Sequence, residues 1–507
     1  MESESYSGKR LAKNTLLMYF RLGISIFVGF ITTKVVFNVL GVENYGLYGV
    51  VAGIVVLFSF ISSALATSAQ RFYSYELGKR NYEKLEAIYN TLLRIYLIIS
   101  LVIIVLAETI GLWFLNCKMD FPEGKIGLAN FVYQISIITT IVQIYRTPYD
   151  AAIISSEKFN FYAYTSIVNA FLQLGVVFLL SFSPFESTKV YVLLLLFVAL
   201  LMLGWYIRYC KKNLSYINFS FKLDKVVFKE ILSFSGWSFF GALCNMGYRQ
   251  GVNVIINVFW GVVQNAAFGI ANQVSALVNQ FVAGFQSAYN PQITKTYSAG
   301  TPEEQTRLVS IASKISFSLL LLVGICSILN INILLKLWLG EVPENTYILC
   351  SLMIIAAIVD SISDPFWIVI FATGDIKKYQ ILCAILMIGN VLLTILAFEI
   401  GYSVEVSMYI RIVMNVGILI TRLAVVNKQT HIVISDFVSN VLIKDALVLL
   451  VLIPLSLLVL WVSDGYYRLF ISTPLFTVVV LVLIMFVLFD RSERESIKQV
   501  IINKIKH

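Results

Sequence analysis

Apolar segments of about 20 residues recur from one end of this 507-residue chain to the other, separated by short polar stretches. Each is long enough to cross a bilayer as a helix. Because backbone groups in hydrocarbon must find hydrogen-bond partners within the protein, such segments form only helices or closed barrels. The chain is 59% hydrophobic and 13% charged, with a mean hydropathy of +0.83. We therefore predict an all-α polytopic membrane protein.

Hydropathy predicts about 14 transmembrane helices, whose boundaries it places to within roughly 2–4 residues. The predicted spans are 14–38, 46–73, 88–116, 127–153, 161–183, 188–209, 233–258, 264–292, 309–335, 347–371, 379–400, 405–426, 441–462 and 471–489. The first is too long for the apolar core of a signal peptide, so we expect it to remain in the protein.

Lys and Arg residues concentrate in every second loop. With a cytoplasmic N-terminus, about 24 of them lie in inside loops and about 5 in outside loops, which is a strong positive-inside bias. This predicts that both termini face the cytoplasm. The bias also accounts for most of the net charge of +9, so that charge requires no nucleic-acid partner.

The sequence contains few of the residue patterns that form catalytic or metal sites. Its six cysteines are scattered, and His431 and His507 are its only histidines, so neither a disulfide framework nor a Cys/His metal site is expected. A GxxxxGK[ST] phosphate loop and a nucleophile–base combination are both absent from the sequence. We therefore expect a protein that is not an enzyme and has no cofactor, with coupling to H⁺ or Na⁺ left open.

The two halves of the chain resemble each other. In one match, which has no gaps and a constant offset of 220 residues, Gly41 aligns with Gly261. In a second match, at its own offset, Pro148 aligns with Pro365. This predicts two parallel six-helix lobes related by an axis along the membrane normal, followed by an appended helix pair. The predicted domains are the N-terminal lobe 1–213, a cytoplasmic linker 214–232, the C-terminal lobe 233–428, and a helix pair with a basic tail 429–507.

One arginine lies near the middle of the seventh span, in the stretch NMGYRQGVNVII. A charge at this depth costs at least a few kcal/mol and normally faces a bundle interior or a wet cavity. Asn245, Arg249 and Asn253 are four residues apart, so they form one polar stripe. Arg21 and Arg146 also lie within predicted spans, and we predict that all three arginines face a substrate.

Other intramembrane polar residues follow the helical period. The stripes are Asn272, Ser275, Asn279, Gln286 and Asn290 on the eighth span, Arg21, Ser25 and Thr32 on the first, Ser59, Ser63 and Gln70 on the second, and Thr139, Gln143, Arg146 and Asp150 on the fourth. Such stripes form either interhelical hydrogen bonds or a water-filled cavity, and we favour a cavity for the seventh and eighth spans. Arg146 and Asp150 are alternatively a self-neutralising i,i+4 pair.

Charged residues near the span ends have other interpretations. Arg71, Arg94, Lys314 and Arg422 lie near cytoplasmic ends, where we expect snorkelling anchors, and Lys34 and Arg411 are ambiguous. Asp360 and Asp364 are one turn apart on the tenth span. These two aspartates either pair with cations of the other lobe or exchange protons. Together with Asp150 of the fourth span, Asp360 and Asp364 are the candidates for ion coupling.

The opening NTLLMYFRLGISIFVGFITTKVVFNVLGVENYGLYGVV, the later QRFYSYELGK and the linker RYCKKNLSYINFSFKLDK carry a family resemblance. They resemble the bacterial O-antigen and capsule repeat-unit flippases of the multidrug/oligosaccharidyl-lipid/polysaccharide exporter superfamily. The resemblance implies two six-helix bundles around a cavity lined by the first, second, seventh and eighth spans. It also implies a bacterial inner-membrane location and an undecaprenyl-pyrophosphate-linked oligosaccharide as substrate. Membrane lipid and the polysaccharide polymerase and chain-length machinery are then the expected partners.

Three other functions compete with this one. A multidrug or cation antiporter of the same superfamily needs an acidic, aromatic site, which Asp360 and Asp364 favour and the three arginines oppose. A membrane glycosyltransferase or polymerase needs a long outer loop with catalytic carboxylates, and the sequence has none. A peptidoglycan-precursor flippase differs from the first prediction in its substrate alone.

Overall fold

The computed structural model describes residues 2–117, 124–181, 186–220, 224–300, 302–430, 432–463, 465–491 and 493–495. Within these residues the secondary structure is helical, with no strand, and this confirms the predicted all-α fold class. The helices are α1 Glu2–Gly78, α2 Tyr82–Cys117, α3 Ile126–Ser155, α4 Phe159–Ser181, α5 Ser187–Asn213, α6 Lys225–Ala299, α7 Pro302–Leu329, α8 Ile331–Leu339, α9 Thr346–Thr373, α10 Lys377–Glu399, α11 Val406–Gln429, α12 Ile434–Val462 and α13 Gly465–Leu488.

Twelve helices of the described residues are long and apolar enough to cross a membrane, whereas the sequence predicted about 14 spans. The difference arises from the two longest helices. The seventh and eighth predicted spans both lie on α6, and the first two both lie on α1. In each pair the two helices follow one another directly and meet at one non-helical glycine.

The two kinks occur at equivalent positions of the repeat. Gly41 has φ 75° and ψ 166°, and its aligned partner Gly261 has φ 77° and ψ −176°. This backbone region is accessible essentially to glycine alone. Arg80 and Gly300, which are related by the same offset, both have positive φ at the ends of α1 and α6. The offset of the repeat therefore relates backbone conformation as well as sequence.

The second sequence match is also visible in the backbone. Pro148 lies inside α3 and Pro365 inside α9, and each helix ends two turns or so later. The next positive-φ residues are Glu157 and Gly374, whose separation along the chain equals that of the two prolines. Together with the two kinks, this confirms the predicted internal repeat.

The chain divides into two compact units: an N-terminal unit, Asn14–Phe239, and a C-terminal unit, Phe240–His507 with Met1–Lys13. In the N-terminal unit, α3 packs on α2 and α5, and α4 packs on α5. In the C-terminal unit, α9 packs on α7 and α11, and α10 packs on α11. The appended helices α12 and α13 pack on α7.

The N-terminal unit includes the segment predicted as a linker. Asn90 of α2 donates from Nδ2 to the carbonyl of Asn218 at 2.8 Å and accepts at Oδ1 from the backbone N–H of Ser220 at 2.7 Å. Leu214, Tyr216 and Ile217 of this segment are buried. Residues 214–220 are thus an ordered part of the N-terminal unit.

Candidate functional site

The intramembrane cations fall into two groups, those paired with carboxylates and those without such a partner. This division matters because an unpaired cation at bilayer depth is the natural contact for an anionic substrate. The paired group contains Arg146, Lys314 and Arg422. Among the described residues, no ion pair involves Arg21, Arg249 or Arg411.

Arg422 of α11 is the centre of a buried network in the C-terminal unit. Its Nη1 lies 3.3 Å from Asp360 Oδ1 and 3.4 Å from Asp364 Oδ1, and it donates to Ser363 Oγ at 2.6 Å. Its Nε donates to the hydroxyl of Tyr379 at 3.2 Å. The prediction that Arg422 snorkels to the membrane surface is therefore wrong, because α9 holds two carboxylates within its reach.

Lys314 of α7 is buried in the same unit. Its Nζ donates to both carboxylate oxygens of Glu493, at 2.9 and 3.1 Å, and lies 3.8 Å from Asp490. Its side chain is 2% exposed, so the prediction of a snorkelling anchor is wrong here as well. The segment after α13 supplies its counter-charge.

Arg146 and Asp150 form the i,i+4 ion pair that the sequence left as one of two interpretations. Arg146 Nε donates to Asp150 Oδ2 at 3.1 Å. The guanidinium also lies 5.1 Å from the ring centroid of Tyr206. The other oxygen, Asp150 Oδ1, is buried and has no hydrogen-bond partner among the described residues.

A cavity of about 220 Å³ lies beside this pair in the N-terminal unit. We call it the basic cavity because two arginines line it. Its polar lining consists of Arg21, Ser25, Thr32, Arg146, Tyr162, Ser166, Asn169, Gln173 and Tyr206. The guanidinium of Arg21 lies 4.8 Å from the ring centroid of Tyr162, and Arg21 Nε is a buried donor with no partner in the described part of the chain.

A second cavity of about 360 Å³ lies in the same unit, and we call it the amide cavity. Its polar lining consists of Gln70, Thr140, Gln143, Thr147, Asp150 and Tyr162. Tyr162 lines both cavities. The fourth-span stripe is thereby divided, with Arg146 on the basic cavity and Gln143 and Asp150 on the amide cavity.

Arg249 is exposed on α6 in the C-terminal unit. Its Nε donates to Asn245 Oδ1 at 3.0 Å, so two members of the predicted stripe are in contact. Its electrostatic neighbours include a second arginine, Arg411 of α11. The third member, Asn253, accepts from Asn265 Nδ2 at 2.9 Å. Neither Arg249 nor Arg411 forms an ion pair among the described residues, and the opposite charge that acts on Arg249 is the carboxylate of Asp360.

Two asparagines of the eighth-span stripe donate within their own helix, whereas Asn290 Oδ1 is buried with no hydrogen-bond partner among the described residues. Asn272 donates to the carbonyl of Phe268 at 3.2 Å, and Asn279 donates to that of Ser275 at 2.8 Å. Gln286 instead donates across to Asp364 Oδ2 at 2.8 Å. The water-filled cavity along the seventh and eighth spans stays a prediction. In the second-span stripe, the side chains of Ser59 and Ser63 lie outside the described residues.

Sequence reasoning missed several lining residues of the basic cavity. Tyr162, Ser166, Asn169 and Gln173 recur at spacings of four, three and four on α4, which is a helical stripe of the same kind as the others. The signal was present, but this stripe contains no charged residue, and the sequence-based predictions started from charged residues.

No group of three or more His, Cys, Asp or Glu side chains in the described ranges is placed to hold a metal ion.

Part of the chain matches a known family model, and about half of it resembles a bacterial membrane protein. The MatE family model matches residues 20–179, which lie within the N-terminal unit. The Uncharacterized membrane protein EpsK of Bacillus subtilis (strain 168) is 22% identical over 285 residues, covering 55% of this chain and 55% of that protein. The match thus spans about half the length of this relative.

Solved structures share the fold over most of the chain. The crystal structure of a MATE protein in the bent conformation has a TM-score of 0.70 at 14% identity, covering 83% of this chain and 97% of that one. A multidrug resistance MATE family transporter of the MOP superfamily in its outward-facing conformation has a TM-score of 0.65 at 15% identity, covering 83% and 94%. A MOP superfamily transporter from Pyrococcus furiosus has a TM-score of 0.64 at 15% identity, with the same coverage of 83% and 94%.

These structural matches show that the fold is that of the MATE proteins. The family-model match falls within the part of the chain that shares this fold, and the helices of the described residues are long and apolar enough for a polytopic membrane protein.

Proposed function

We propose that this MatE-type chain flips an oligosaccharide linked to undecaprenyl pyrophosphate across the bacterial inner membrane, for cell-surface polysaccharide synthesis. Alternating access of the two lobes gives the head group a polar route, while the polyprenyl tail stays in lipid. The pyrophosphate and sugar cannot cross hydrocarbon unaided, because their polar groups would lose hydration without compensation.

The observation that supports this proposal best is Arg21. It lines the basic cavity, and none of its described neighbours is a carboxylate in ion-pair distance. A guanidinium presents planar, fork-shaped donors that match phosphate oxygens, and the Nε of Arg21 has no hydrogen-bond partner among the described residues. Arg249 and Arg411 provide unpaired positive charge among the described residues of the C-terminal unit as well.

A second candidate function is a multidrug or cation antiporter. It is favoured by the fold that the chain shares with a multidrug resistance MATE family transporter. Such a site requires free carboxylates for its cationic substrate. Here Arg422 pairs with Asp360 and Asp364, and Arg146 pairs with Asp150. One MOP relative with this fold is described as having a binding pocket of reverse polarity, so the fold is compatible with more than one pocket polarity.

Reconstitution in liposomes tests the proposal. Wild-type protein should move a fluorescent undecaprenyl pyrophosphate-linked disaccharide between leaflets, measured by dithionite quenching, and should not move a cationic dye. Arg21→Ala and Arg249→Ala should each slow flipping at least about tenfold, the loss expected from one charge-assisted contact. Arg21→Lys should rescue only partly if the planar fork is needed.

Transport of the dye with no flipping of the glycolipid would contradict the proposal and favour the antiporter. A peptidoglycan precursor with the same lipid and pyrophosphate, used as a competing substrate, separates the two kinds of flippase. Polysaccharide at the surface of cells complemented with Arg249→Ala gives an independent measure, provided that membrane abundance of the variant is normal.

A further inference from the structure

We propose that the basic cavity and the amide cavity form one divided binding site, in which the basic cavity takes an anionic group and the amide cavity takes the adjoining uncharged sugar ring. This inference rests on the proposed function, because it assumes that the substrate joins an anion to a sugar. It adds a separate site for the sugar, formed by different residues from those that face the anion.

The lining of the amide cavity suits hydroxyl groups. Gln70 of α1 and Gln143 of α3 each offer an amide donor and an amide acceptor, and neither side chain makes a hydrogen bond to another described residue. Thr140 donates to the carbonyl of Ser136 at 2.9 Å, so its oxygen can still accept a hydrogen bond. Paired donors and acceptors of this kind match sugar hydroxyls, which both donate and accept.

The carboxylate of Asp150 distinguishes the ligand groups that the two cavities favour. Its Oδ2 is bound to Arg146, while its Oδ1 is buried without a partner among the described residues, and the residue lines the amide cavity. A carboxylate in the lining favours a hydroxyl donor in the amide cavity, whereas a phosphate oxygen there would meet a group of like charge. The two guanidiniums of Arg21 and Arg146 line the other cavity, so a negative group is favoured on that side.

The charge balance disfavours a cation in this place. Two arginines line the basic cavity, and the one carboxylate that pairs with either of them is that of Asp150, which neutralises Arg146. The charge of Arg21 is left over. A cationic ligand would therefore enter a region of net positive charge. A neutral sugar next to an anion has no such penalty.

The volumes of the two cavities agree with this division. The amide cavity, at about 360 Å³, falls within the range of roughly 300–1,000 Å³ typical of small-molecule sites, and the basic cavity is smaller at about 220 Å³. Tyr162 lines both, and Arg21 lies 4.8 Å from its ring centroid. An aromatic ring between the two gives the apolar face of a sugar a surface to pack on.

The test compares two ligands on the purified full chain in detergent: undecaprenyl pyrophosphate, and the same lipid bearing a neutral disaccharide. Gln143→Leu should raise Kd for the disaccharide lipid about tenfold, as expected for one lost hydrogen-bonding side chain, and leave Kd for undecaprenyl pyrophosphate within about twofold. Arg21→Ala should weaken the binding of both ligands. Gln134→Leu is the matched control on the same helix, because Gln134 instead donates to Glu108 at 3.1 Å and lines neither cavity.

Equal effects of Gln143→Leu on both ligands, or no effect on either, would overturn the divided site. Gln70→Leu makes the same test from α1 if Gln143→Leu does not fold. Failure of wild-type protein to bind undecaprenyl pyrophosphate would instead reject the proposed function. Binding of that lipid through Arg21, with no gain in affinity from the disaccharide, would reject the divided site alone.

Discussion

Arg422 Nη1 lies 3.3 Å from Asp360 Oδ1, so a side chain of α11 neutralises a carboxylate of α9 within the same unit. Asp364 shares this guanidinium at 3.4 Å. Two carboxylates thus share one permanent cation, which leaves a formal charge of −1 on the group. If an ion or proton is coupled to transport through Asp360 or Asp364, it binds beside Arg422 and not at an isolated acidic pair.

Removing Arg422 should destabilise the protein. Arg422→Ala leaves Asp360 and Asp364 facing each other without this cation, and breaking a buried ion pair by removing one partner costs about 3 kcal/mol or more. We expect a loss of this size in the free energy of unfolding, measured by titration of the detergent-solubilised protein with denaturing detergent. Asp360 is partly exposed, so the loss should fall at the lower end of that range.

The double variant R422A/D364N tests the cause of this loss. Since Asp364→Asn removes one of the two like charges, the double variant should be more stable than Arg422→Ala alone. If both lose the same amount, the instability of Arg422→Ala comes from lost packing and not from unpaired charge.

The pair Lys314–Glu493, which joins α7 to the segment after α13, should contribute strongly to stability. The side chain of Lys314 is 2% exposed and that of Glu493 is 13% exposed. Glu493→Gln leaves the lysine buried with a weaker partner, and we expect a loss of about 1.5–3 kcal/mol, the range for hydrogen bonds to charged groups. The midpoint of thermal unfolding in detergent should fall accordingly.

Glu495→Gln is the matched control for this change. Glu495 lies 4.0 Å from Arg491, and the side chains of Glu495 and Arg491 are 70% and 95% exposed, respectively. Exposed pairs of this kind contribute about 0–1 kcal/mol, so the control should unfold within a degree or so of wild type. Similar losses for both variants would show that the 490–495 segment contributes through its overall charge and not through Lys314.

Asp490 should make stability depend on pH. Lys444 donates to Asp490 Oδ1 at 2.7 Å, and this hydrogen bond holds the pKa of the Asp490 carboxyl below its usual value. A carboxyl with a lowered pKa stabilises the folded state above the ordinary Asp pKa of about 3.9, and this contribution is lost as the pH falls through the lower folded-state pKa. The difference in unfolding midpoint between wild type and Asp490→Asn should be constant from pH 6 to 8 and shrink below about pH 4. A difference that persists at pH 3 would contradict this.

Much of the fold was predictable because hydropathy reports span length directly. The repeat was also visible, since Gly41 and Gly261 matched at a constant offset and later proved to have the same backbone conformation. Local pairs were predictable too, as Arg146 and Asp150 are one turn apart on a single helix. All of these are properties of one segment or of aligned segments.

Contacts between distant segments were not predictable. Arg422 lies 58 residues from Asp364, and Lys314 lies 179 residues from Glu493, so no periodicity connects them. Position near a span end gave the wrong interpretation for both, because snorkelling and burial with a partner place a cation at the same depth. The split of the fourth-span stripe between two cavities likewise depends on how α3 packs against α1 and α4.

Gly41 and Gly261 should be equally intolerant of a side chain. Both have φ near +75° with an extended ψ, and nothing lies within 4 Å of a Cβ added at either position. The cost of Gly41→Ala or Gly261→Ala is therefore conformational, about 1–3 kcal/mol each in the free energy of unfolding. Gly269→Ala is the control, because Gly269 is helical with equally open surroundings, and alanine there should be neutral or stabilising by up to about 1 kcal/mol. Losses that match at the two kinks and are absent at Gly269 would show that the repeat conserves a backbone requirement in both lobes. A neutral Gly261→Ala would instead mean that α6 can straighten through its kink at little cost, and that the two lobes differ in stiffness at this point.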